Sequence, residues 1–221
     1  MADEHLTEVS FTNLHLPESL ARGVADAGFE RCTPIQAQTL PRALAGFDIA
    51  GQAQTGTGKT AAFLIALYSR LLRAEIPSTR KINSPLALII APTRELAVQI
   101  HHDAELLGQY TGLKLCLAFG GVDYEKQRRD LEDGVDILIG TPGRLIDFYK
   151  QQVFDLRSVQ VLVLDEADRM FDLGFIADIR YIMRRLPPPD QRLNLLFSAT
   201  LAQRVLELAY EHMNDPELVR I

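Results

Sequence analysis

The stretch Ala53-Gln-Thr-Gly-Thr-Gly-Lys-Thr60 decides how the rest of the chain is read. It follows a short apolar run, Asp48-Ile-Ala50, and precedes a helical pattern expected to bury Phe63, Leu64, Leu67 and Leu71. A strand, a loop and a helix in that order are the setting a phosphate-binding loop requires. Glycines at 56 and 58 let backbone N–H groups turn inward around phosphate oxygens, and the N-terminus of the following helix adds a favourable dipole. In such a loop Lys59 reaches the β and γ phosphates and Thr60 ligates Mg²⁺, with Gln54, Thr55 and Thr57 completing the turn. The strict pattern begins with Gly, and Ala53 stands in that place. The bland alternative is a glycine-rich turn capping a helix.

Working outward, several short runs rich in Val, Ile and Leu are expected as strands buried on both faces: 86–91, 114–119, 136–140, 161–164 and 194–197. Between them lie helical patterns. Leu96, Ile100, Ala104 and Leu107 form one apolar stripe on a helix starting near Arg94. Strands alternating with helices imply βαβ units with right-handed crossovers. The class is α/β: a mainly parallel sheet flanked by helices on both faces. Two helices are expected ahead of the first strand, over 17–27 and 35–45, with Gly28 closing the first. Residues 75–85 read as a polar surface loop, and the prolines at 187–189 must stop any preceding helix. A short strand is expected over 217–221. A single domain is the simplest account.

A phosphate-binding loop needs an acidic partner for Mg²⁺ beyond the carboxyl end of a neighbouring strand. Val161-Leu-Val-Leu-Asp165-Glu166-Ala-Asp168 supplies it. Asp165 leaves the sheet to hold the metal, and Glu166, aimed differently, can orient and deprotonate a water attacking the γ-phosphorus. Taken alone, the same residues would be an acidic helix N-terminus favoured by the macrodipole.

Composition narrows the function classes. The chain has 221 residues, 47% hydrophobic and 24% charged, which removes disordered and fibrous classes. Its formal net charge of −6 argues against a global polyanion field, so any nucleic acid must be met by a local face. Two cysteines, Cys32 and Cys116, with no CxxC pair and no clustered histidines, remove disulfide scaffolds and zinc sites. On a helix His101 and His102 diverge by about 100° and cannot chelate. Cys32 shows no sign of a redox role. The acidic start lacks an apolar signal region and no run approaches a membrane span, so the reducing cytoplasm is the expected compartment.

Asp165-Glu-Ala-Asp168, taken with the 53–60 loop, resembles the DEAD-box ATP-dependent RNA helicases over residues 9–221. Phe11, Gly28-Phe29 and Thr33-Pro-Ile-Gln36 resemble the family's Q motif, Pro92-Thr-Arg-Glu-Leu96 its motif Ia, and Gly120-Gly121 its GG element. Thr141-Pro-Gly-Arg144 resembles motif Ib and Ser198-Ala-Thr200 motif III. Seven elements in order are far more specific than any one. The short N-terminal lead and residues 141–147 are most similar to the bacterial RhlB-type members. Cys32 departs from the family, which usually has Pro there.

The resemblance implies a RecA-like P-loop NTPase domain using ATP and Mg²⁺. It divides the chain into a tail (1–8), a Q-motif segment (9–37) and the RecA-like domain (38–221). Gln36, with an amide donor and acceptor, would pair with adenine N6 and N7, selecting ATP over GTP. Phe11 or Phe29 would cover the purine; alternatively, these aromatics simply pack on the sheet. Pro92, Thr93, Arg94, Gly120, Gly121, Thr141, Pro142, Gly143 and Arg144 would grip RNA phosphates and riboses, from helix N-termini and guanidinium groups that carry no base code. The basic run Lys126-Gln-Arg-Arg129 reads as a solvated helix face.

Hydroxyls at Ser198 and Thr200 would bond Asp168 and couple the metal site to the RNA face, or cap a helix starting near Leu201. A second RecA-like domain, absent here, would supply arginine fingers, so the isolated chain is expected to be nearly inactive. An endoribonuclease scaffold in an RNA degradosome is an implied partner; a membrane is not. A non-catalytic ATP-gated RNA clamp and an ATPase acting on DNA are the competing readings.

Overall fold

The computed structural model describes residues 5–221. Seven strands form one sheet: β1 (Ile49–Gln52), β2 (Ala87–Ile90), β3 (Leu115–Ala118), β4 (Ile137–Gly140), β5 (Val161–Leu164), β6 (Leu193–Ser198) and β7 (Glu217–Arg220). Their spatial order is β3-β4-β2-β5-β6-β1-β7, and every pair is parallel. Alternate residues of each strand face opposite layers. Ile89, Val163, Leu195 and Phe197 join one core with the helices α1 (Glu18–Asp26), α2 (Pro34–Leu44), α3 (Lys59–Arg73) and α4 (Arg94–Leu107). Leu88, Leu162, Leu164 and Leu196 join the other. That second layer holds α5 (Tyr124–Glu132), α6 (Pro142–Lys150), α7 (Ala167–Asp172), α8 (Ile176–Met183) and α9 (Gln203–His212).

Two expectations about the sheet change. β3 is an edge strand, and its residues alternate between half-buried and buried because one face meets fewer neighbours. The strand carrying Asp165 is not adjacent to the one feeding the phosphate loop, since β6 lies between β5 and β1. Two strand spacings, about 10 Å, therefore separate those backbones, and only a long side chain can close the gap.

Local signals explain the elements that matter for the site. α1 ends in a Schellman turn: Gly28 has φ +84°, its N–H donates to Ala25 O, and Phe29 N–H donates to Val24 O. That turn sets the position of Phe29. α2 starts with Pro34 at its first position, and Gln36 Oε1 accepts from Thr33 N–H at 2.9 Å, half of a capping box. α3 is apolar nearly all round because the sheet, α2 and α4 enclose it, and its Tyr68 hydroxyl donates to Ala104 O at 2.7 Å.

Pairing begins at Thr7, whose N–H and hydroxyl both donate to Cys32 O, so the packed segment starts inside the expected tail. Residues 1–4 of that tail lie outside the described residues. The 75–85 connection is tied down rather than merely solvated: Arg80 bonds Ser84 O, Val135 O and Asp136, while the buried Ser84 hydroxyl donates to Asp155. At the amino end of the sheet, buried Asp48 accepts from Asn194 N–H, the Asn194 amide and Asn214 N–H. No helix among the described residues is long and apolar enough to cross a membrane.

Candidate functional site

Strand β1 delivers the 53–60 loop to the carboxyl end of the sheet, where Ala53 N–H donates to Ser198 O at 3.1 Å and ties it to the end of β6. Gly56 and Gly58 have φ of +83° and +87°, which side chains strain to adopt. A Cβ at Gly58 would also sit 2.5 Å from Gln36 Nε2. The Gln36 amide, 1% exposed, donates to Gly58 O at 3.0 Å while its oxygen holds Thr33 N–H. The Q-motif glutamine thus braces the phosphate loop from behind. One lone pair and one N–H of the amide remain for another partner.

Lys59 opens α3 and reaches across the end of β6 to Asp165: Nζ lies 3.1 Å from Oδ1, with the side chains 8% and 0% exposed. Burial pushes the Asp165 carboxyl above the usual carboxylate range, against the opposing pull of Lys59 and of Glu166 N–H, which donates at 2.9 Å. The second oxygen, Oδ2, is buried and has no hydrogen-bond partner. An orphaned carboxylate oxygen on the floor of the loop, with Thr60 one residue after Lys59, fits the one or two protein oxygens that a phosphate-bound Mg²⁺ takes. Glu166 sits at φ +50°, strained for a residue with a side chain, which turns its carboxylate away from that of Asp165. Its Oε2 is also buried without a hydrogen-bond partner.

These groups line a cavity of about 550 Å³. Thr55, Gly58, Lys59, Thr60 and Glu166 form its polar end, and Phe29 with Leu107 its apolar end. Of the two candidate aromatics, Phe29 faces the cavity. Phe11, 5% exposed, packs edge-on behind it at 5.5 Å between centroids.

The coupling residues divide. The buried Ser198 hydroxyl accepts from Asp168 backbone N–H at 3.1 Å, so the link runs to the main chain rather than to the carboxylate. Thr200 is exposed, with no hydrogen bond among the described residues. Neither residue caps α9, which starts at Gln203 with Ala202 at its N-cap. The helix begins too late for their hydroxyls to serve it.

A second concavity, about 510 Å³, lies beyond the carboxyl ends of β2, β3 and β4. Pro92, Arg94, Gly120, Gly121 and residues 141–144 line it together, as the motif order implied. Thr93 faces its own helix, its hydroxyl accepting from Leu96 N–H at 3.3 Å. Gly121 has φ +98°, and a Cβ there would meet Arg94 Nη1 at 2.7 Å. Arg144 donates to Gln127 Oε1 at 2.9 Å and lies 4.9 Å over the Tyr124 ring.

A family model described as DEAD/DEAH box helicase matches residues 33–208. The chain belongs to the DEAD/DEAH box helicase family. It is 61% identical over 219 residues to the ATP-dependent RNA helicase RhlB of Aliivibrio salmonicida, covering 99% of this chain and 50% of that protein. The RhlB of Xanthomonas oryzae is 60% identical over 218 residues, covering 98% of this chain and 38% of that one. Among solved structures, a DEAD box protein from the hyperthermophile Methanococcus jannaschii superposes with a TM-score of 0.84 at 34% identity, over 96% of this chain and 55% of that one. The chain spans about half the length of the curated relatives it matches.

Within this DEAD/DEAH box helicase domain, one positioning residue escaped the sequence reading. Gln127 sits in the run taken as a solvated face, and its neighbours do pair in solvent, Lys126 with Asp130 and Arg128 with Glu132. Gln127 itself is 7% exposed and accepts from both Arg144 and Phe119 N–H. An uncharged residue inside a charged run was the available signal. Both cysteines are free and buried, and burial pushes each thiol to about 11, which leaves them unreactive.

Proposed function

We propose that the chain is the N-terminal, ATP-binding half of an RNA-dependent ATPase that locally unwinds RNA duplexes. The observation carrying this reading is the meeting of Lys59, Asp165 and Glu166 at one cavity, although Lys59 and Asp165 stand on strands separated by a third. Lys59 presents its ammonium to the β and γ phosphates while remaining beside Asp165. Asp165 Oδ2 and the Thr60 hydroxyl would hold Mg²⁺, which supplies charge neutralisation across the phosphate oxygens. Glu166 orients the attacking water and takes its proton on the carboxylate, which the backbone turn keeps separate from Asp165. Phe29 covers the base, and Gln36 joins base recognition to the conformation of the phosphate loop.

Arg94, Arg144 and the N-termini of α4 and α6 hold the sugar-phosphate backbone, so binding is sequence-tolerant and falls steeply with salt. Ser198 carries the state of the 165–168 segment to the end of β6. A second RecA-like domain completes the site with further positive charge. Identity of about 60% to RhlB proteins supports a cytoplasmic role in RNA degradation, with an endoribonuclease as partner.

The test is RNA-stimulated ATP turnover of the full-length protein. Lys59→Ala and Glu166→Gln each abolish it under this reading, and normal turnover in either variant overturns the reading. Strand separation of a short duplex distinguishes a helicase from a clamp that binds RNA and leaves it paired.

A further inference from the structure

The largest concavity in the domain lies away from both surfaces described above. It has a volume of about 640 Å³ and is formed by the connections that lead into β2, β5 and β6, at the amino end of the sheet. Strands of four residues, about 13 Å long, separate that end from the Arg94 and Arg144 surface. Lys81, Lys150, Arg157 and Arg185 line it, and none of the four makes an ion pair among the described residues. The one carboxylate present, Asp155, is engaged by the Ser84 hydroxyl at 2.7 Å and by Arg157 N–H at 3.1 Å. Four uncompensated cations in one hollow stand out in a chain of net charge −6.

Aromatic rings lie among them. Tyr149 and Tyr181 meet edge to face, with centroids 6.2 Å apart. The Arg185 guanidinium lies 3.4 Å over the Tyr181 ring and is held there by a 2.7 Å bond from Nη1 to Tyr181 O. Lys150 Nζ stands 5.3 Å over the same ring. A guanidinium pinned flat on a ring offers its outer face to another flat group, which is how single-stranded bases are stacked beside a basic groove. The volume falls within the range of ligand pockets.

We propose that this cavity is a second binding site for single-stranded RNA. It takes one nucleotide step, with a base on the Arg185–Tyr181 stack and the flanking phosphates among Lys81, Lys150 and Arg157. The cations alone would equally suit an acidic peptide. The stacked planes favour a nucleobase. The site would anchor a strand on the side of the domain opposite the duplex-facing surface, and it holds whether or not the ATP-site reading stands.

The test uses the 221-residue chain and a fluorescein-labelled eight-residue oligouridylate carrying one 4-thiouridine. Photocrosslinking to the wild-type chain is expected to label the peptides containing Tyr149 and Tyr181. In a background with Arg94→Gln and Arg144→Gln, Lys150→Ala with Arg185→Ala is expected to weaken binding about tenfold, the middle of the range for losing a stacking platform. The slope of log affinity against log salt should fall by roughly 1.4 for two lost cations. Both side chains are exposed, so the fold is retained. Crosslinks confined to the Arg94 and Arg144 surface, with unchanged affinity in the Lys150 and Arg185 variant, would overturn the proposal. So would displacement of the RNA by an equal concentration of oligoglutamate, or binding of free uridine monophosphate as tight as that of the oligomer.

Discussion

Replacing Lys59 by Met keeps the aliphatic stem in place and removes the ammonium 3.1 Å from Asp165 Oδ1. What remains is a carboxylate 0% exposed, with Glu166 N–H as its only hydrogen bond among the described residues and Oδ2 unpartnered. Breaking a buried pair from one side costs about 3–5 kcal/mol, because the surviving charge is left in a poorly polarisable site. For a chain of this length each kcal/mol lowers Tm by about 2–4 °C, so the melting point should fall by roughly 6–20 °C. The sign of the pH dependence follows from the proton. Burial already raises the Asp165 pKa, and losing the cation raises it further. A carboxyl raised in the folded state contributes most stability at low pH and loses it as pH rises through the folded pKa. The deficit of Lys59→Met should therefore be larger at pH 7.5 than at pH 5.5. Adding Asp165→Asn removes the stranded charge and should recover most of the loss. Circular dichroism melts of the four proteins at the two pH values complete the cycle. A Lys59→Met protein melting within about 2 °C of wild type at pH 7.5 would refute the reasoning, because that is the effect of at most ~1 kcal/mol.

Gly108→Ala would place a Cβ 2.1 Å from the Tyr68 hydroxyl, and overpacking of this kind costs about 1–3 kcal/mol; a urea melt with an unchanged midpoint would contradict it. Burial depresses the His212 pKa, so its stability contribution is present above pH 6.5 and lost as pH falls through the folded value; His212→Gln should flatten the decline in Tm between pH 7 and pH 5. Phe29→Ala opens the apolar end of the nucleotide cavity and should weaken ADP binding about tenfold while Phe11→Ala acts mainly through stability, which calorimetry and melts separate.

The layered α/β architecture and the site's chemistry were readable because they rest on local signals. Glycines 56 and 58 occupy positive φ, Gly28 closes α1, and apolar runs of four residues mark strands buried on both faces. Strand order was not readable, because no local residue reports that β6 threads between β1 and β5. The same gap hid the length of Lys59's reach. Gln36 carried a donor and an acceptor in plain view, yet its hold on Gly58 O joins segments 22 positions apart and depends on the tertiary fold. The start of α9 at Gln203 and the burial of Gln127 were likewise decided by neighbours distant in sequence.

The central claim is that residues 59 and 165 serve one nucleotide. Calorimetric titration of the 221-residue chain with ADP and Mg²⁺ tests it most directly, comparing wild type with the folded double variant Lys59→Met, Asp165→Asn. The account predicts a single binding event for the wild type and no measurable heat for the variant at the same concentrations. Equal affinity in both proteins would contradict it.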